Sequence, residues 1–440
     1  MRTPSPDAFF WFRRDLRLED NAALYTALSR HQQVQPVFIF DSGILSKLQD
    51  RDDARVTFIW RQLQSIDVKL RKLGSTLWVW YGDPVTFWTA RAREYPSIQV
   101  YAGQDFEPGY PLERDNRVQE ILKAFGGALH LVPDHVLVPP GEILQPNGQP
   151  YTVYTPFSKQ WLSRITVERL KEFPSEQLLD HIAKGPARFQ IPHLKDIGFT
   201  ESAIEVSAPE VTDQTLKDYH KNRNFPALVG GTSRLSVHLR FGTISVRQLA
   251  RRARSLSETF LKELGWREFF MHVLYHFPHT VERAFRSEYD RIAWRNDPEE
   301  FERWCLGLTG FPLVDAGMRE LNTTGFMHNR VRMVVASFLT KDLLIDWRWG
   351  ESYFARRLLD FELASNVGNW QWAAGTGCDA APYFRIFNPT LQMEKFDPLG
   401  EYVRRWVPEW GTKDYPAPMV DHEAAKKRAL EAYQKARRGE

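Results

Sequence analysis

The sequence is poor in cysteine. Only Cys305 and Cys378 occur among 440 residues, and neither belongs to a C-x-x-C motif or to a cluster of four. A disulfide framework and a zinc or iron–sulfur centre built on clustered cysteines are therefore excluded. We expect no metal site, and a reducing cytoplasmic compartment fits this usage.

Long apolar runs are also lacking. No stretch of 18 apolar residues is present, and the N-terminal MRTPSPDAFFWFRRD has no long apolar segment preceded by positive charge. A membrane-spanning helix needs about 20 apolar residues, and a secretory signal needs basic residues before an apolar core. We therefore expect neither membrane insertion nor secretion.

The first third of the chain alternates strand-like and helical segments. The strand-like runs are Phe9–Phe12, Pro36–Phe40, Leu77–Tyr81 and Ile98–Tyr101, and amphipathic stretches such as Ala54–Leu73 separate them. This alternation predicts a Rossmann-like parallel α/β domain. No G-x-G-x-x-G follows the first run, so the dinucleotide fingerprint is missing.

The remainder divides into a connector and a helical domain. Prolines crowd the segment after Leu131, and helical periodicity dominates from Glu201 onward. We predict three parts: an α/β domain over residues 1–130, a loop-rich connector over 131–200, and an all-α domain over 201–440. The clearest helical segments are Leu261–His276, Phe301–Leu306, Val331–Leu344 and Ser352–Leu359, and His422–Arg438 is predicted as a basic amphipathic helix.

Aromatic residues and local positive charge are abundant. Phe, Trp and Tyr make up 13% of the chain, which includes 15 Trp. Between Lys221 and Thr280 there are ten Lys or Arg and three acids, although the net charge of the whole chain is only +3. Positive surface beside aromatic rings is typical of proteins that bind a polyanion. The alternative is the solvated face of ordinary helices.

Two motifs in this basic region are compatible with ligand binding. Gly230–Ser236 (GGTSRLS) combines glycines with hydroxyl groups before a helix, which suits an anion, although such a segment is also a common loop. Glu263 and Trp266 are three apart on a predicted helix, so they share a face. A carboxylate beside an indole suits a planar ring, and the alternative is a surface glutamate.

A third motif, MHNRVRM, places Asn329 and Met333 four residues apart on one helical face, with Arg330 and Arg332 off that face. An Asn amide can form two hydrogen bonds with the edge of a base or imide. The acid Asp360 lies in an apolar setting farther along and needs a partner, for which Arg332 is a candidate.

Tryptophans are paired in GNWQWAAG. On a helix, Trp370 and Trp372 point about 200° apart, so they serve different neighbours. Core packing is the simple explanation. The spacing of Trp304, Trp347 and Trp370 does not indicate whether these three are neighbours.

The chain resembles the photolyase/cryptochrome flavoproteins along its whole length. The strings that carry this resemblance are FWFRRDLRLEDNAAL (Phe10–Leu24), GTSRLSVHLRFG (Gly231–Gly242), ELGWREFF, TGFPLVDAGMRELNTTGFMHNRVRM (Thr309–Met333), KDLLIDWRWGESYF (Lys341–Phe354) and NWQWAAGTGCDAAPYFRIFNP (Asn369–Pro389). Among these flavoproteins the sequence is most similar to the class I cyclobutane pyrimidine dimer photolyases of bacteria.

The resemblance implies an FAD inside the helical domain. At matching positions, Tyr219 and Thr232, Ser233, Arg234, Leu235 and Ser236 would hold its diphosphate and ribityl part, and Phe260 would line it. Asp360 (paired with Arg332) and Glu362 would face the adenine and isoalloxazine, and Asn366 would face flavin N5. Glu362 departs from the Asp that is usual in these relatives, which changes its contact geometry but not its charge.

The resemblance also implies a substrate, which is UV-damaged DNA. Trp266 and Trp372 would clamp a flipped dimer, Glu263 and Asn329 would bind its imide edges, and Met333 would pack beneath. Arg223, Arg330 and Arg332 would form a positive rim. Trp370, Trp347 and Trp304 would be an electron-transfer chain that runs toward the surface in this order.

The implied activity is light-driven repair. Reduced, excited FAD would pass an electron to the dimer, the cyclobutane ring would split, and the electron would return. A (6-4) photolyase would carry histidines at Asn329 and Met333. A signalling cryptochrome would usually carry a long C-terminal extension beyond a position such as Glu440, and a DASH-type cryptochrome usually has Trp-Met instead of WQW.

The remaining expectations concern partners. We expect a monomer without an obligate protein partner, in the bacterial cytoplasm and associated with the nucleoid. The resemblance leaves open whether the α/β domain binds a second, antenna chromophore. Tyr110-Pro111 stands near the place where folate-binding relatives carry Asn-Glu, which argues against a folate.

Overall fold

The computed structural model describes residues 6–440, which form two compact units. The first consists of residues 6–142, Trp161–Glu210 and Leu235–Ser255. The second consists of Ile143–Gln160, Val211–Arg234 and Leu256–Glu440. Each unit is therefore assembled from separate stretches of the chain.

The first unit contains a five-stranded parallel sheet. Its strands are β1 (Ala8–Phe12), β2 (Val34–Asp41), β3 (Trp78–Gly82), β4 (Gln99–Gly103) and β5 (Ala128–Val132), in the order β3-β2-β1-β4-β5. All neighbouring strands pair in parallel. This confirms the predicted α/β fold class. The edge strand β5 was not predicted, because its short alternating sequence lacks the apolar run of a central strand.

Nineteen α-helices are present in residues 6–440. They are α1 (Ala22–Arg30), α2 (Ser42–Leu45), α3 (Ala54–Lys72), α4 (Pro84–Glu94), α5 (Tyr110–Ala124), α6 (Tyr154–Arg164), α7 (Asp213–Lys217), α8 (Tyr219–Asn222), α9 (Ser236–Phe241), α10 (Val246–Leu256), α11 (Glu258–His276), α12 (Pro298–Leu306), α13 (Pro312–Thr324), α14 (Asn329–Ser337), α15 (Trp347–Arg357), α16 (Leu363–Ala374), α17 (Pro389–Phe396), α18 (Glu401–Trp406) and α19 (His422–Arg438).

Helix starts in the first unit follow from the residue before each helix. Asn21, Asp53 and Asp83 accept backbone N–H groups from the first turns of α1, α3 and α4. Such side chains satisfy donors that the helix cannot satisfy itself. The amphipathic stretch predicted between the second and third strands is α3.

The second unit is helical, as predicted. The segment predicted as Val331–Leu344 is α14 followed by a π-helical turn, Phe338–Asp342. Its core contains the buried tryptophans Trp304, Trp347 and Trp370. The proline-rich region predicted as a connector includes α6 and two 3₁₀ turns, Ser175–His181 and Leu194–Ile197. Within residues 6–440, no helix combines the length and apolarity that a membrane span requires.

Candidate active site

A cavity of about 610 Å³ lies in the second unit and opens to solvent. Helices α14, α15 and α16 and the link between the last two provide its walls. The lining residues are Asn329, Arg332, Met333, Ala336, Phe354, Leu358, Asp360, Phe361, Glu362, Ser365, Asn366, Asn369, Trp370, Trp372 and Ala373. Ligand sites commonly combine aromatic and polar walls in this way.

The first turn of α14 is fixed by a histidine cap. His328 Nδ1 accepts the backbone N–H of Arg330 at 3.1 Å, so the neutral ring carries its proton on Nε2. Burial, followed by the positive charge of Arg332 and other arginines, lowers the pKa of His328 to about 4. The cap is therefore neutral near pH 7, and it orients the helix that presents Asn329 and Met333 to the cavity.

Arg332 lies on the cavity wall with Asn329 and Met333, and not off that face as the sequence suggested. Residues three and four apart share a helical face, which accounts for the difference. Arg332 Nη2 lies 2.9 Å from Asp360 Oδ2, and Nη1 lies 3.3 Å from Oδ1. The side chain of Asp360 is 5% exposed and that of Arg332 is 25% exposed. The expected acid–arginine pair is thus present and bidentate.

Glu362 is the N-cap of α16. Its Oε2 accepts the backbone N–H and the hydroxyl of Ser365, both at 2.9 Å. Glu362 also lines the cavity, so the carboxylate that caps the helix lies beside it. A carboxylate here complements the positive end of the helix.

Asn366 is 8% exposed and points its amide in a defined direction. Its Nδ2 donates to Glu351 Oε1 at 2.8 Å and to the Glu351 backbone oxygen at 3.0 Å. Within residues 6–440, its Oδ1 accepts no hydrogen bond, and the residue lines the cavity. Burial raises the pKa of Glu351. Asn366 therefore offers an oriented carbonyl acceptor to a ligand.

Trp370 and Trp372 both line the cavity but differ in their surroundings. Trp370 is buried, with its ring centroid 5.0 Å from that of Phe354 and 6.2 Å from that of Trp304. Trp372 is only partly buried. The spacing of two residues thus gives one ring to the core and leaves the other for a ligand.

A second group of predicted residues surrounds α8 and α11. Arg223 Nη1 lies 2.5 Å from Glu263 Oε1, and the Arg223 guanidinium lies 5.3 Å from the Tyr219 ring centroid. Tyr219 and Phe260 form an edge-to-face pair at 5.1 Å. Burial, with Glu263 adding to it, raises the pKa of Tyr219. None of these side chains lines the 610 Å³ cavity.

Trp266 belongs to this second group. The ring of Tyr154 stacks on it with centroids 3.6 Å apart and 12° between planes. Tyr154 was not singled out from the sequence, because it lies in the proline-rich region and no spacing links it to α11. One face of Trp266 is thus covered by protein.

The GGTSRLS segment extends over both units. Thr232, Ser233 and Arg234 belong to the second unit, and Leu235 and Ser236 belong to the first. Arg234 has a φ of +52°, which is uncommon for a residue with a side chain. Its guanidinium lies 4.8 Å from the Phe326 ring centroid, and its side chain is about half exposed.

The expected electron-transfer chain needs a correction at its outer end. Trp370 and Trp347 are buried, and Trp304, which was expected at the outer end, is 0% exposed and does not reach the surface. Trp294 is one of five partly buried tryptophans that pack against the same cluster, with Trp349, Trp372, Trp406 and Trp410. Asn296 Oδ1 accepts the N–H of Asp346 at 2.9 Å, which holds this segment beside the start of α15.

Glu351 and Trp294 were missed from the sequence. Glu351 is the fourth residue after Trp347, a helical spacing that places both on one side of α15. That spacing was the one available signal, and a glutamate at such a position is usually solvated. Trp294 stands in an irregular segment without periodicity, so nothing in the sequence distinguished it from Trp304.

Comparisons with known proteins bear on the family to which the chain belongs. The family model described as the FAD binding domain of DNA photolyase matches residues 260–412, and the model described as DNA photolyase matches residues 8–177. A deoxyribodipyrimidine photo-lyase of Synechococcus sp. is 38% identical over 469 aligned positions, which cover 96% of each chain.

Three solved structures extend this likeness. A bacterial class III photolyase from Agrobacterium tumefaciens has a TM-score of 0.86 at 33% identity and covers 100% of this chain and 99% of its own. An archaeal photolyase from Sulfolobus tokodaii with two FAD molecules has 0.83 at 34%, covering 98% and 100%. A Synechocystis sp. cryptochrome has 0.84 at 28%, also covering 98% and 100%.

Proposed function

This chain belongs to the DNA photolyase family, and we propose that it repairs cyclobutane pyrimidine dimers in DNA with light. The enzyme is a deoxyribodipyrimidine photo-lyase with FAD as its cofactor. The supporting observation is the convergence of Asn329, Met333 and Trp372 with Asp360 and Asn366 on one cavity. The first three suit a pyrimidine dimer, and the last two suit a flavin.

The residues present fit an FAD. The cavity offers a paired carboxylate, an unpartnered amide oxygen and aromatic walls, which are the groups that a polar heteroaromatic ring requires. When bound, reduced FAD would supply one electron to the dimer under blue or near-UV light and would take it back after ring cleavage. The Asn366 carbonyl oxygen would accept a hydrogen bond from a ring N–H, and an amide has no readily lost proton to transfer to that ring. Arg332 neutralises Asp360, which lets this carboxylate persist in a largely buried wall.

On the substrate side, the chain's own groups bind and orient a flipped dimer. Extruding a base costs a few kcal/mol, and less at a distorted lesion, whereas stacking on an aromatic ring returns ~1–3 kcal/mol per base. Trp266 and Trp372 provide two rings, and Glu263 and Asn329 provide polar contacts to the imide edges. Glu263 is held in place by Arg223 at 2.5 Å. These contacts favour a lesion over intact DNA.

The three arginines proposed for the positive rim differ in whether a carboxylate is paired with them. Arg330 donates to Asn224 Oδ1 at 2.8 Å and forms no ion pair with a carboxylate in the described part of the chain. Arg223 and Arg332 are each paired with an acid. We therefore assign the main phosphate contact of this group to Arg330.

A second chromophore would bind in the first unit. The strand order reverses between β1 and β4, and ligands of parallel sheets bind outside the carboxyl ends of strands at such a point. A pocket lies there, with Arg13, Asp15, Asp105 and Asp134 among its walls. Extraction of purified protein tests this proposal, because a second bound pigment would appear in addition to one FAD per chain.

The test of the function uses an oligonucleotide with one defined cyclobutane thymine dimer. Photoreduced protein is mixed with it, and recovery of intact thymines is followed under blue light and in the dark, beside a (6-4) oligonucleotide. Repair of the first substrate in light alone supports the proposal. If the protein binds reducible FAD but does not repair the dimer, we would infer that it is a light receptor instead. The similarity to the Synechocystis sp. cryptochrome is compatible with that function.

A further inference from the structure

We propose that Tyr154 and Asp379 set the spacing between the two indole walls of the lesion pocket, Trp266 and Trp372. Both are positioning residues that determine selectivity for a dimer. The inference rests on the proposed function, which assigns the two tryptophans to the substrate. It concerns residues that touch neither the cavity nor the cofactor-side groups described above.

Tyr154 is a rigid support for Trp266. Its ring lies flat on the indole at 3.6 Å, and its side chain is buried. The Tyr154 hydroxyl donates to the backbone oxygen of Lys262 at 2.6 Å, one helical turn before Trp266. Burial raises the pKa of Tyr154, so the hydroxyl remains a neutral donor. The ring is fixed both by stacking and by this bond.

Asp379 connects the same tyrosine to the segment that leaves α16. Asp379 Oδ2 accepts the backbone N–H of Tyr154 at 2.9 Å. The neighbouring Cys378 thiol contacts the backbone oxygen of Thr152 at 2.9 Å. Asp379 has a φ of +49°, a strained conformation for a residue with a side chain. Two adjacent contacts thus hold this turn against Thr152 and the first residue of α6, Tyr154.

A hydrogen-bonded turn after the end of α16 connects Asp379 to Trp372. Gly375 ends α16 with a φ of +79°, and its N–H bonds the Trp372 oxygen at 3.2 Å. The N–H groups of Thr376 and Gly377 return to the Gln371 oxygen at 3.0 and 3.1 Å. A Cβ on Gly377 would lie 2.8 Å from Gln371 Cβ, so the turn is packed directly onto the helix end.

A second link joins the two walls at the helix packing surface. Phe270 follows Trp266 by one turn, and their rings lie 5.7 Å apart at 29°. Gly368 precedes Trp372 by one turn, and a Cβ there would come within 2.2 Å of Phe270 Cδ1. Helices α11 and α16 are therefore in close contact at this point. This helix contact is one constraint on the distance between Trp266 and Trp372. The hydrogen bond from Tyr154 N–H to Asp379, at the turn after α16, is the other.

Two constraints of this kind fix the distance between two rings. A radial gap of 0.5–1 Å already removes roughly a quarter to a half of a dispersion contact. Without the Tyr154 ring, the Trp266 indole loses its stacked support and keeps its contact with Phe270. We expect it to shift by about 0.5–1 Å. Binding of a dimer would weaken, whereas phosphate contacts to any DNA would not change.

The experiment compares variants with matched controls in the full-length, FAD-loaded protein. Tyr154→Leu removes the stacked ring, and Tyr154→Phe keeps it. Asp379→Gly removes the carboxylate acceptor and accommodates the positive φ, whereas Asp379→Asn keeps an acceptor and tolerates that φ. Dissociation constants are measured for dimer-containing and undamaged oligonucleotides, together with the repair rate of the bound complex and the FAD content.

We expect Tyr154→Leu to weaken dimer binding about 10-fold and Asp379→Gly about 3- to 10-fold, with undamaged DNA bound as in wild type. The two control variants should stay within about 3-fold of wild type. Because both residues act on one spacing, the double variant should lose less than the product of the single losses.

Several outcomes would overturn the inference. Tighter dimer binding by Tyr154→Leu would mean that Tyr154 competes with the lesion for the indole face. Equal losses of affinity for both oligonucleotides, or a loss of bound FAD, would mean that the two residues only support the fold. Independent effects of the two changes in the double variant would mean the same. If the wild type itself neither prefers nor repairs dimer DNA, the proposed function fails. If the wild type does both and the variants match it, only the spacing inference fails.

Discussion

Replacing Arg332 by methionine tests whether this residue serves the cofactor side or the DNA rim. The change keeps much of the aliphatic volume and removes the charge beside Asp360, whose side chain is 5% exposed. Removing one partner of a buried ion pair costs about 3–5 kcal/mol. Because Arg332 is 25% exposed, water compensates part of that loss. We therefore expect a cost of ~2–3 kcal/mol.

The assay is urea unfolding of the Arg332→Met protein, followed by the same measurement in an Asp360→Asn background. The second change removes the unpaired charge, so it should restore most of the lost free energy of unfolding. FAD retention should fall in the single variant. The slope of log K against log salt for DNA should not change, because a paired arginine releases few counterions.

Two results would refute this reasoning. A loss of less than about 0.5 kcal/mol would mean that the ion pair is as weak as an exposed one. If the slope of log K for DNA binding against log salt fell by ~0.9 while stability stayed unchanged, Arg332 would instead contact DNA phosphates.

Three further predictions follow from the structure. Arg330→Ala should lower the salt slope of DNA binding by ~0.9, and Arg223→Ala by less, because the latter already pairs with a carboxylate on α11. Glu351→Leu removes one of two acceptors of the Asn366 amide, so reoxidation of the bound reduced flavin in air should be ~3- to 10-fold faster, whereas Glu351→Gln should resemble wild type. Burial, with repulsion from a nearby aspartate, raises the pKa of Asp15 from 3.8 to about 6. The protonated carboxyl contributes stability below pH 4 that is lost as pH rises through 6, ~3 kcal/mol in all, and Asp15→Asn should abolish this dependence in urea titrations.

Each of these has a contrary outcome. Equal salt slopes for the two arginine variants would remove the distinction between paired and unpaired rim residues. Unchanged flavin reoxidation in Glu351→Leu would mean that the backbone oxygen alone orients the amide. If the stability of the wild type and that of the Asp15→Asn variant changed equally between pH 4 and 6, the Asp15 carboxyl would be better solvated than its burial indicates.

The sequence predicted those features that depend on local patterns. Four strands, the parallel class and the C-terminal helix His422–Arg438 followed from apolar runs and periodicity. The pairing of Arg332 with Asp360 followed from the need of a buried acid for a partner. The strand β5 was missed because an exposed edge strand carries no continuous apolar run.

The remaining features depend on contacts between distant segments. Tyr154 and Trp266 are more than 100 residues apart, and no local pattern connects them. The burial of Trp304 depends on how α12 packs against α15 and α16, which its own sequence does not specify. Glu351 gains its role only when α15 places it against Asn366. In each case the tertiary packing, and not the residue's neighbours in sequence, determines the chemistry.

The helix α16 carries Asn366, Trp370 and Trp372 within two turns. A single inserted residue in this stretch would rotate everything beyond it by about 100° and advance it by 1.5 Å. Asn366, Trp370 and Trp372 would then no longer keep their relative directions, so they could not all face their present neighbours. The segment therefore does not accept changes of length, and an engineer who recombines such chains should exchange α16 as one intact block.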